Sequence, residues 1–177
     1  MIALCFDTET TGLIDNHLIP IDKQPRIIEF YGCLADLETG EIISELELLI
    51  KPPNPLTEEI TRITGITDEL LADAQPFANH AARIKEVLEG APCIMAHNAS
   101  FDVEMIDIEF ERMGQKVAWP RVICTVEQTL HLSGFRLNLA GLHTHLFGEG
   151  FPAAHRARND VMAMLRCCCE LYKREEI

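Results

Sequence analysis

The first twelve residues, Met1-Ile2-Ala3-Leu4-Cys5-Phe6-Asp7-Thr8-Glu9-Thr10-Thr11-Gly12, combine a strand signal with two acidic side chains. Residues 1–7 carry apolar side chains on both faces of an extended chain, which is typical of a central strand covered on both sides. Asp7 and Glu9 come where this strand is expected to end. Residues i and i+2 of a strand point to the same side with Cα atoms roughly 6.6 Å apart, so both carboxylates are expected to be aimed together.

Two carboxylates aimed together repel each other unless a cation or a proton lies between them. Taken alone, an Asp-x-Glu pair is better explained as a strand-end turn with solvated acids, because such short patterns recur by chance. The interpretation of Asp7 and Glu9 therefore depends on acids elsewhere in the chain.

The segments that follow predict a sheet of mixed direction. Residues 27–37 and 42–50 have strand patterns, and the short turn at 38–41 between them predicts an antiparallel hairpin. Short apolar strands at 92–96 and 122–124 are interleaved with helical patterns, which cover 57–64, 67–73, 76–89, 100–113, 125–132, 138–146 and 155–174. This order indicates an α/β fold in one domain over residues 1–177.

Composition limits the classes of function. The chain has 177 residues, of which 47% are hydrophobic and 24% charged, as in ordinary globular proteins. A net charge of −13 argues against a broad basic face for nucleic acid or membranes. It does not exclude a nuclease, because metal-binding carboxylates count as negative while their metals go uncounted. No apolar run could span a membrane, and the start of the chain lacks a signal-peptide pattern. The seven cysteines form no C-x-x-C pair. A soluble, cytoplasmic protein is therefore expected.

Two further acids lie on the apolar stripes of predicted helices. Asp102 shares its stripe with Ile106, Phe110 and Met113, although the helix dipole alone also favours an acid in a first turn. Asp160 falls inside the apolar stripe of the last helix. A buried carboxylate without a partner costs several kcal/mol, so Asp160 needs one.

Three side chains near the start of the last helix are candidate partners of Asp160. Arg156 and Arg158 are close in sequence to Asp160 but are expected to project to other sides of the helix. His155 is expected to lie in the turn before the helix, from which it can reach over the same pocket. Taken alone, it is more simply a helix-start histidine without a chemical role.

A joint explanation accounts for all four acids, because carboxylate oxygens suit Mg²⁺ or Mn²⁺. Two such ions about 4 Å apart can activate a water molecule and stabilise the leaving oxygen of a phosphodiester. A neutral histidine beside that water could accept its proton. A structural calcium site is less favoured, because its ligands usually come from one loop.

Three ordered segments, Asp7-Thr8-Glu9-Thr10-Thr11-Gly12, His97-Asn98-Ala99-Ser100-Phe101-Asp102 and His155-x-Ala157-x-x-Asp160, resemble the three motifs of the DnaQ-like, or DEDDh, 3′-to-5′ exonucleases. The resemblance covers nearly the whole chain. It implies a ribonuclease-H-like three-layer fold, in which a central mixed sheet, an antiparallel hairpin followed by parallel strands, is flanked by helices.

The resemblance also implies roles for individual residues. Metal-binding carboxylates would be Asp7, Glu9, Asp102 and Asp160, holding two Mg²⁺ or Mn²⁺ ions. His155 would be the general base. Contacts to the terminal nucleotide would come from Thr10, Thr11, Gly12, Leu13, His97, Asn98 and Phe101, with Leu13 stacking on the base. The stretch Leu13–Pro25 is longer than the tightest family members need and is predicted to border the substrate groove.

The expected function is hydrolysis of single-stranded or frayed DNA from the 3′ end, releasing 5′-mononucleotides. Two alternatives remain open: the same chemistry on RNA or short oligoribonucleotides, and a non-catalytic binding module. The chain ends soon after the third motif, without the long C-terminal extension through which the replicative proofreading subunit binds its polymerase. A free-standing nuclease is therefore expected, although a polymerase contact through another face and the oligomeric state both stay open.

Overall fold

The computed structural model describes residues 1–14, 18–151 and 155–177. Its five-stranded sheet has the order β3-β2-β1-β4-β5, with β1 Ile2–Thr10, β2 Ile27–Asp36, β3 Glu41–Leu49, β4 Cys93–Ala96 and β5 Arg121–Cys124. The strand β2 pairs antiparallel with both β1 and β3, whereas β4 pairs parallel with both β1 and β5. The predicted mixed sheet, with an antiparallel hairpin followed by parallel strands, is confirmed.

Helices flank this sheet on both faces. Their bounds are α1 Glu58–Thr64, α2 Phe77–Glu89, α3 Ala99–Glu111, α4 Thr125–Gln128, α5 Leu130–Ser133, α6 Leu139–Phe147 and α7 Ala157–Lys173, with a short 3-10 helix at Ile21–Lys23. None of those found in the described ranges is both long and apolar enough to cross a membrane.

The helix predicted at 67–73 is wrong, because this segment forms successive turns. The side-chain oxygen of Thr67 accepts a hydrogen bond from the backbone N–H of Leu70, and Asp68 accepts one from the N–H of Leu56. The bond of Thr67 offers the backbone of this segment an alternative to helical hydrogen bonds, and the bond of Asp68 ties the segment to Leu56. The chain must also be extended at Gln75, which forms a bridge with Ile50.

The alternation of side chains along β1 decides which helix each residue meets. Leu4 and Phe6 pack into the core formed with α2 and α3, whereas Ala3 and Cys5 pack against α7. Because the period of a strand is two, Asp7 and Glu9 continue the row of Ala3 and Cys5 on the α7 side.

The prediction that β1 ends near Asp7 is wrong. The strand continues to Thr10, because its pairing with β2 extends through Asp7 opposite Tyr31 and Glu9 opposite Glu29. The two acids thus lie inside a paired strand. Their positions are fixed by backbone hydrogen bonds, not by a solvated turn.

The described part of the stretch 13–25 is attached to the C-terminal end of α3; residues 15–17 lie outside the described ranges. The guanidinium of Arg112, just after α3, donates hydrogen bonds to three carbonyl oxygens of this stretch, those of Ile21, Gln24 and Pro25. The same side chain lies 3.0 Å from the carboxylate of Glu109, which also accepts a hydrogen bond from the backbone N–H of Ile27. A buried charge pair therefore connects this stretch and β2 to α3.

We expect Arg112→Gln to lower the free energy of unfolding by about 3 kcal/mol, because breaking a buried pair leaves the remaining charge without full compensation. Urea unfolding checks this value. The matched control is Arg83→Gln, since Arg83 is exposed on α2, and it should change stability by less than about 0.5 kcal/mol. Equal effects of the two substitutions would contradict the role given to Arg112.

Candidate active site

Three carboxylates meet where β1 passes beneath the start of α7. Asp7, Glu9 and Asp160 each offer one oxygen, and these atoms all lie within 4.8 Å of one another. The strand period aims the first two at α7, and the apolar stripe of α7, buried at Ala157 and Val161, turns Asp160 towards the sheet. Three of the four predicted acids are therefore brought together.

The fourth acid, Asp102, reaches the same region from the opposite layer. Thr8 lies between Asp7 and Glu9 and points to the α3 side. Its backbone N–H and its hydroxyl both donate to Oδ1 of Asp102, at 3.0 and 2.7 Å. Asp102 is only 3% exposed, so Thr8 fixes the orientation of a buried carboxylate. The sequence analysis missed Thr8, although the alternation of β1 could have revealed it.

Burial and like charge together raise the pKa values of these acids. Burial is the main cause for Asp7, whose pKa is raised well above its usual value, with further contributions from Asp102, Glu9 and Asp160. Burial, then the charge of Asp160, raises the pKa of Glu9 to about 8. The pKa of Asp102 rises to about 7 through burial, opposed by the two hydrogen bonds from Thr8.

A divalent cation fits this cluster. Without a positive charge, protonation of these acids is favoured, because their ionised forms repel one another and are poorly hydrated. The donor atoms are all carboxylate oxygens, which suit hard cations such as Mg²⁺ and Mn²⁺.

His155 adjoins the cluster in the turn that precedes α7, as predicted. Its backbone N–H donates to Oδ2 of Asp160 at 2.9 Å, and its backbone φ is +69°. Burial raises the pKa of Asp160, while this hydrogen bond and the charge of His155 oppose the rise. The residue is exposed to solvent.

An ion pair between a buried carboxylate and a partly exposed guanidinium attaches the start of α7 to the sheet. Glu29 is 1% exposed and lies opposite Glu9 on β2. Its carboxylate accepts hydrogen bonds from Nε and Nη2 of Arg156, the latter at 2.7 Å, and from the backbone N–H of Ala157 at 2.9 Å. Glu29 therefore fixes the turn that carries His155 and the first turn of the helix that carries Asp160.

The sequence analysis missed Glu29, although an acid inside the buried strand predicted at 27–37 was a signal for it. The expectation that Arg156 and Arg158 point away from Asp160 agrees with the structure. Arg156 is held by Glu29, and Arg158 forms its shortest ion pair with Glu47 at 2.8 Å.

The residues after Glu9 form a turn that is tied to the start of β2. The hydroxyl of Thr10 donates to the carbonyl oxygen of Gly12 at 2.7 Å. Thr11 exchanges two hydrogen bonds with the backbone of Arg26, both 2.9 Å long. Leu13 is 83% exposed, so its side chain is available to a ligand. The contacts of these residues with a terminal nucleotide stay a prediction.

The second motif follows β4, next to the carboxylates. Both ring nitrogens of His97 are engaged, Nδ1 with the Thr125 hydroxyl at 2.9 Å and Nε2 with the carbonyl oxygen of Leu137 at 3.1 Å. Burial lowers the pKa of His97 to about 4, so the ring is neutral. It therefore donates from Nε2 to Leu137 and accepts from Thr125 at Nδ1.

Asn98 and Phe101 complete this motif. Asn98 is exposed, has a left-handed backbone with φ +65°, and directly precedes α3. Phe101 is half-buried and packs against the core formed with α2 and α3. That His97, Asn98 and Phe101 line the substrate pocket stays a prediction.

Comparison with known proteins identifies the family. Residues 4–167 match the family model RNase_T, described as "Exonuclease". The chain belongs to this exonuclease family. It is 33% identical over 172 residues to the DNA polymerase III PolC-type of Listeria monocytogenes, covering 95% of this chain but 11% of that protein. It is 37% identical over 122 residues to the PolC-type polymerase of Staphylococcus aureus, covering 69% of this chain and 8% of that protein.

Solved exonuclease structures share the fold. The nuclease domain of 3′hExo, described as a DEDDh family member bound to rAMP, has a TM-score of 0.80 at 15% identity, covering 98% of this chain and 92% of that one. Exonuclease X in complex with 5′ overhanging duplex DNA has a TM-score of 0.71 at 22% identity. The match covers 97% of this chain and 92% of that one. The expected ribonuclease-H-like fold of a DEDDh exonuclease is confirmed.

The stability of the metal-free exonuclease domain should fall as pH rises. The pKa of Glu9 is raised from 4.5 to about 8, so in this interval the folded state keeps a proton that the unfolded chain has released. The stabilisation is complete below about pH 4.5 and is lost progressively up to about pH 8. Melting temperatures measured in EDTA across this pH range test the prediction. Added Mn²⁺ should raise the melting temperature most at the highest pH. Glu9→Gln, which removes the titrating carboxyl, should weaken both trends; identical trends in that variant would contradict the assignment to Glu9.

Glu29→Gln should lower the free energy of unfolding by about 2 kcal/mol, because it removes the charge that compensates Arg156. It should also weaken Mn²⁺ binding, measured by calorimetry, because the start of α7 that carries Asp160 is no longer fixed. The matched control is Glu45→Gln, which removes an exposed partner of Arg158 and should leave Mn²⁺ affinity unchanged. Equal loss of affinity in both variants would exclude a positioning role for Glu29.

Proposed function

We propose that residues 1–177 form a single exonuclease domain that hydrolyses phosphodiester bonds at the 3′ end of single-stranded or frayed DNA and releases 5′-mononucleotides. The observation that carries this proposal is the set of three carboxylate oxygens within 4.8 Å of one another beside the turn of His155. Family membership supports the hydrolytic chemistry.

The metal site of this proposal is made of Asp7, Glu9 and Asp160, with Asp102 completing it from the α3 side. It is proposed to hold two Mg²⁺ or Mn²⁺ ions, because its donor atoms are carboxylate oxygens that lie close together. When bound, such ions activate water and stabilise the charge on the leaving oxygen. The two hydrogen bonds from Thr8 favour the ionised form of Asp102 that a cation requires.

His155 is proposed to accept the proton of the attacking water. Its backbone N–H is bonded to Asp160, so the residue adjoins the carboxylates, and its exposure would let it pass the proton to solvent. The exposed side chain of Leu13 is proposed to stack on the terminal base, and Thr10, Thr11 and Gly12 to contact its sugar. His97 would act on this pocket indirectly, since both of its ring nitrogens are already bonded.

The relatives favour DNA as substrate. The similar sequences named above are DNA polymerases of the PolC type. This similarity also supports the proposals of a proofreading or repair role, a polymerase partner and a cytoplasmic location. The chain spans 11% of the Listeria polymerase, so these are proposals for the domain. RNA is the second candidate, because similar structures include a 3′-exonuclease that recognises a histone mRNA stem-loop. A non-catalytic module is not favoured, since all five proposed catalytic residues are present.

End-labelled strands test the proposed function. With Mg²⁺ or Mn²⁺, 5′-end-labelled single-stranded DNA should shorten gradually from the 3′ end, and matched RNA should react more slowly. EDTA should stop the reaction, and Asp7→Ala should lower kcat by at least about a thousandfold, an amount typical for removing a group that stabilises a transition state. The control Asp73→Ala alters an exposed acid in a turn outside the cluster and should be fully active. Cleavage that is independent of metal, or an active Asp7→Ala variant, would overturn the proposal.

A further inference from the structure

The segment Ser133–Asn138, here called the rim turn, lies beside the carboxylate cluster although the function proposed above does not use it. It is bonded to the second motif at two points. The carbonyl oxygen of Leu137 meets Nε2 of His97 at 3.1 Å, and Nη2 of Arg136 donates to Oδ1 of Asn98 at 2.9 Å.

Strand register places these contacts near the proposed site of hydrolysis. β1 and β4 are parallel, with Leu4 opposite Ile94 and Cys5 opposite Met95. β4 ends at Ala96, one residue after Met95, so His97 and Asn98 lie just beyond the carboxyl end of the strand next to β1. The rim turn is therefore bonded to residues on the β4 side of the strand that carries Asp7 and Glu9.

Arg136 differs from the other arginines near the site in its partner. Arg156, Arg158 and Arg26 pair with Glu29, Glu47 and Glu109. Arg136 is exposed and donates to the neutral amide of Asn98, and within the described ranges it forms no salt bridge with a carboxylate. In a chain of net charge −13, Arg136 thus keeps a full positive charge that an anion can use.

Phe135, the neighbour of Arg136, is 63% exposed. Its backbone is held by Ser133, whose hydroxyl donates to the carbonyl oxygen of Phe135 at 2.7 Å and accepts from its N–H at 3.3 Å. An exposed aromatic ring on a fixed backbone beside an arginine is the combination on which single-stranded nucleic acids stack.

We infer that the rim turn is a second binding site for the substrate strand, in which Arg136 binds a backbone phosphate other than the scissile one and Phe135 stacks on a base. The site rests on the proposed function, because the scissile phosphate belongs at the carboxylates. Arg136 lies between α5 and α6 and is bonded to Asn98, just beyond β4, so the phosphate proposed for it is a different one from that at the carboxylates. Asn98 positions the guanidinium.

The test compares Arg136→Gln with the control Arg83→Gln on two substrates, a single-stranded oligodeoxynucleotide and the p-nitrophenyl ester of thymidine 5′-monophosphate, which has no second phosphate. In Arg136→Gln the ratio of kcat/KM for the oligonucleotide to kcat/KM for the ester should fall about tenfold, because KM for the oligonucleotide rises. The slope of log(kcat/KM) against log[salt] should become shallower by about 0.7, as for one lost phosphate contact on a single strand. Arg83→Gln should match the wild type.

Two further variants separate charge from stacking. Arg136→Lys should restore most of the salt slope, because it keeps the charge, and Phe135→Ala should raise KM for the oligonucleotide without changing that slope. If Arg136→Gln does not fold, these two variants carry the test. Equal losses on both substrates, or an unchanged salt slope in Arg136→Gln, would overturn the second site alone. A wild-type chain that cleaves neither substrate would overturn the proposed function and the second site with it.

Discussion

Repulsion among buried carboxylates is the constraint on which the rest of this structure depends. Asp7, Glu9 and Asp160 place oxygens within 4.8 Å of one another, and burial adds to the cost of their charge. An arrangement of this kind opposes its own folding unless protons or cations neutralise it. The surrounding scaffold must therefore hold the acids in place against this repulsion.

Three interactions that hold the acids come from different layers of the fold. Pairing with β2 along its whole length keeps β1 straight through Glu9. The ion pair of Glu29 with Arg156 holds the start of α7 over the strand, and Thr8 orients Asp102 from the other face. Each side chain is set by a partner far away in sequence, so the site forms only when all three layers are assembled.

The same arrangement explains how a strongly acidic chain can act on a polyanion. Most of the arginines around the site are neutralised by neighbouring carboxylates and serve the scaffold. In the proposed function, the positive charge that a strand end needs would come from two local sources, cations at the carboxylates and Arg136 at the rim turn. A small number of contacts suffices for an enzyme that takes hold of an end and does not coat a long strand.

The sequence by itself determined the order and type of most elements, because strand and helix periods are local properties. For the same reason it placed Asp160 on the apolar stripe of α7 and grouped Asp7 with Glu9. It failed at 67–73, where Thr67 bonds the backbone and Asp68 bonds Leu56, and at the end of β1, which a partner strand extends. Only the tertiary structure decided the partners Thr8–Asp102, Glu29–Arg156 and Asn98–Arg136. These contacts join residues 94, 127 and 38 positions apart, and no local pattern specifies which distant side chain will fill a given position.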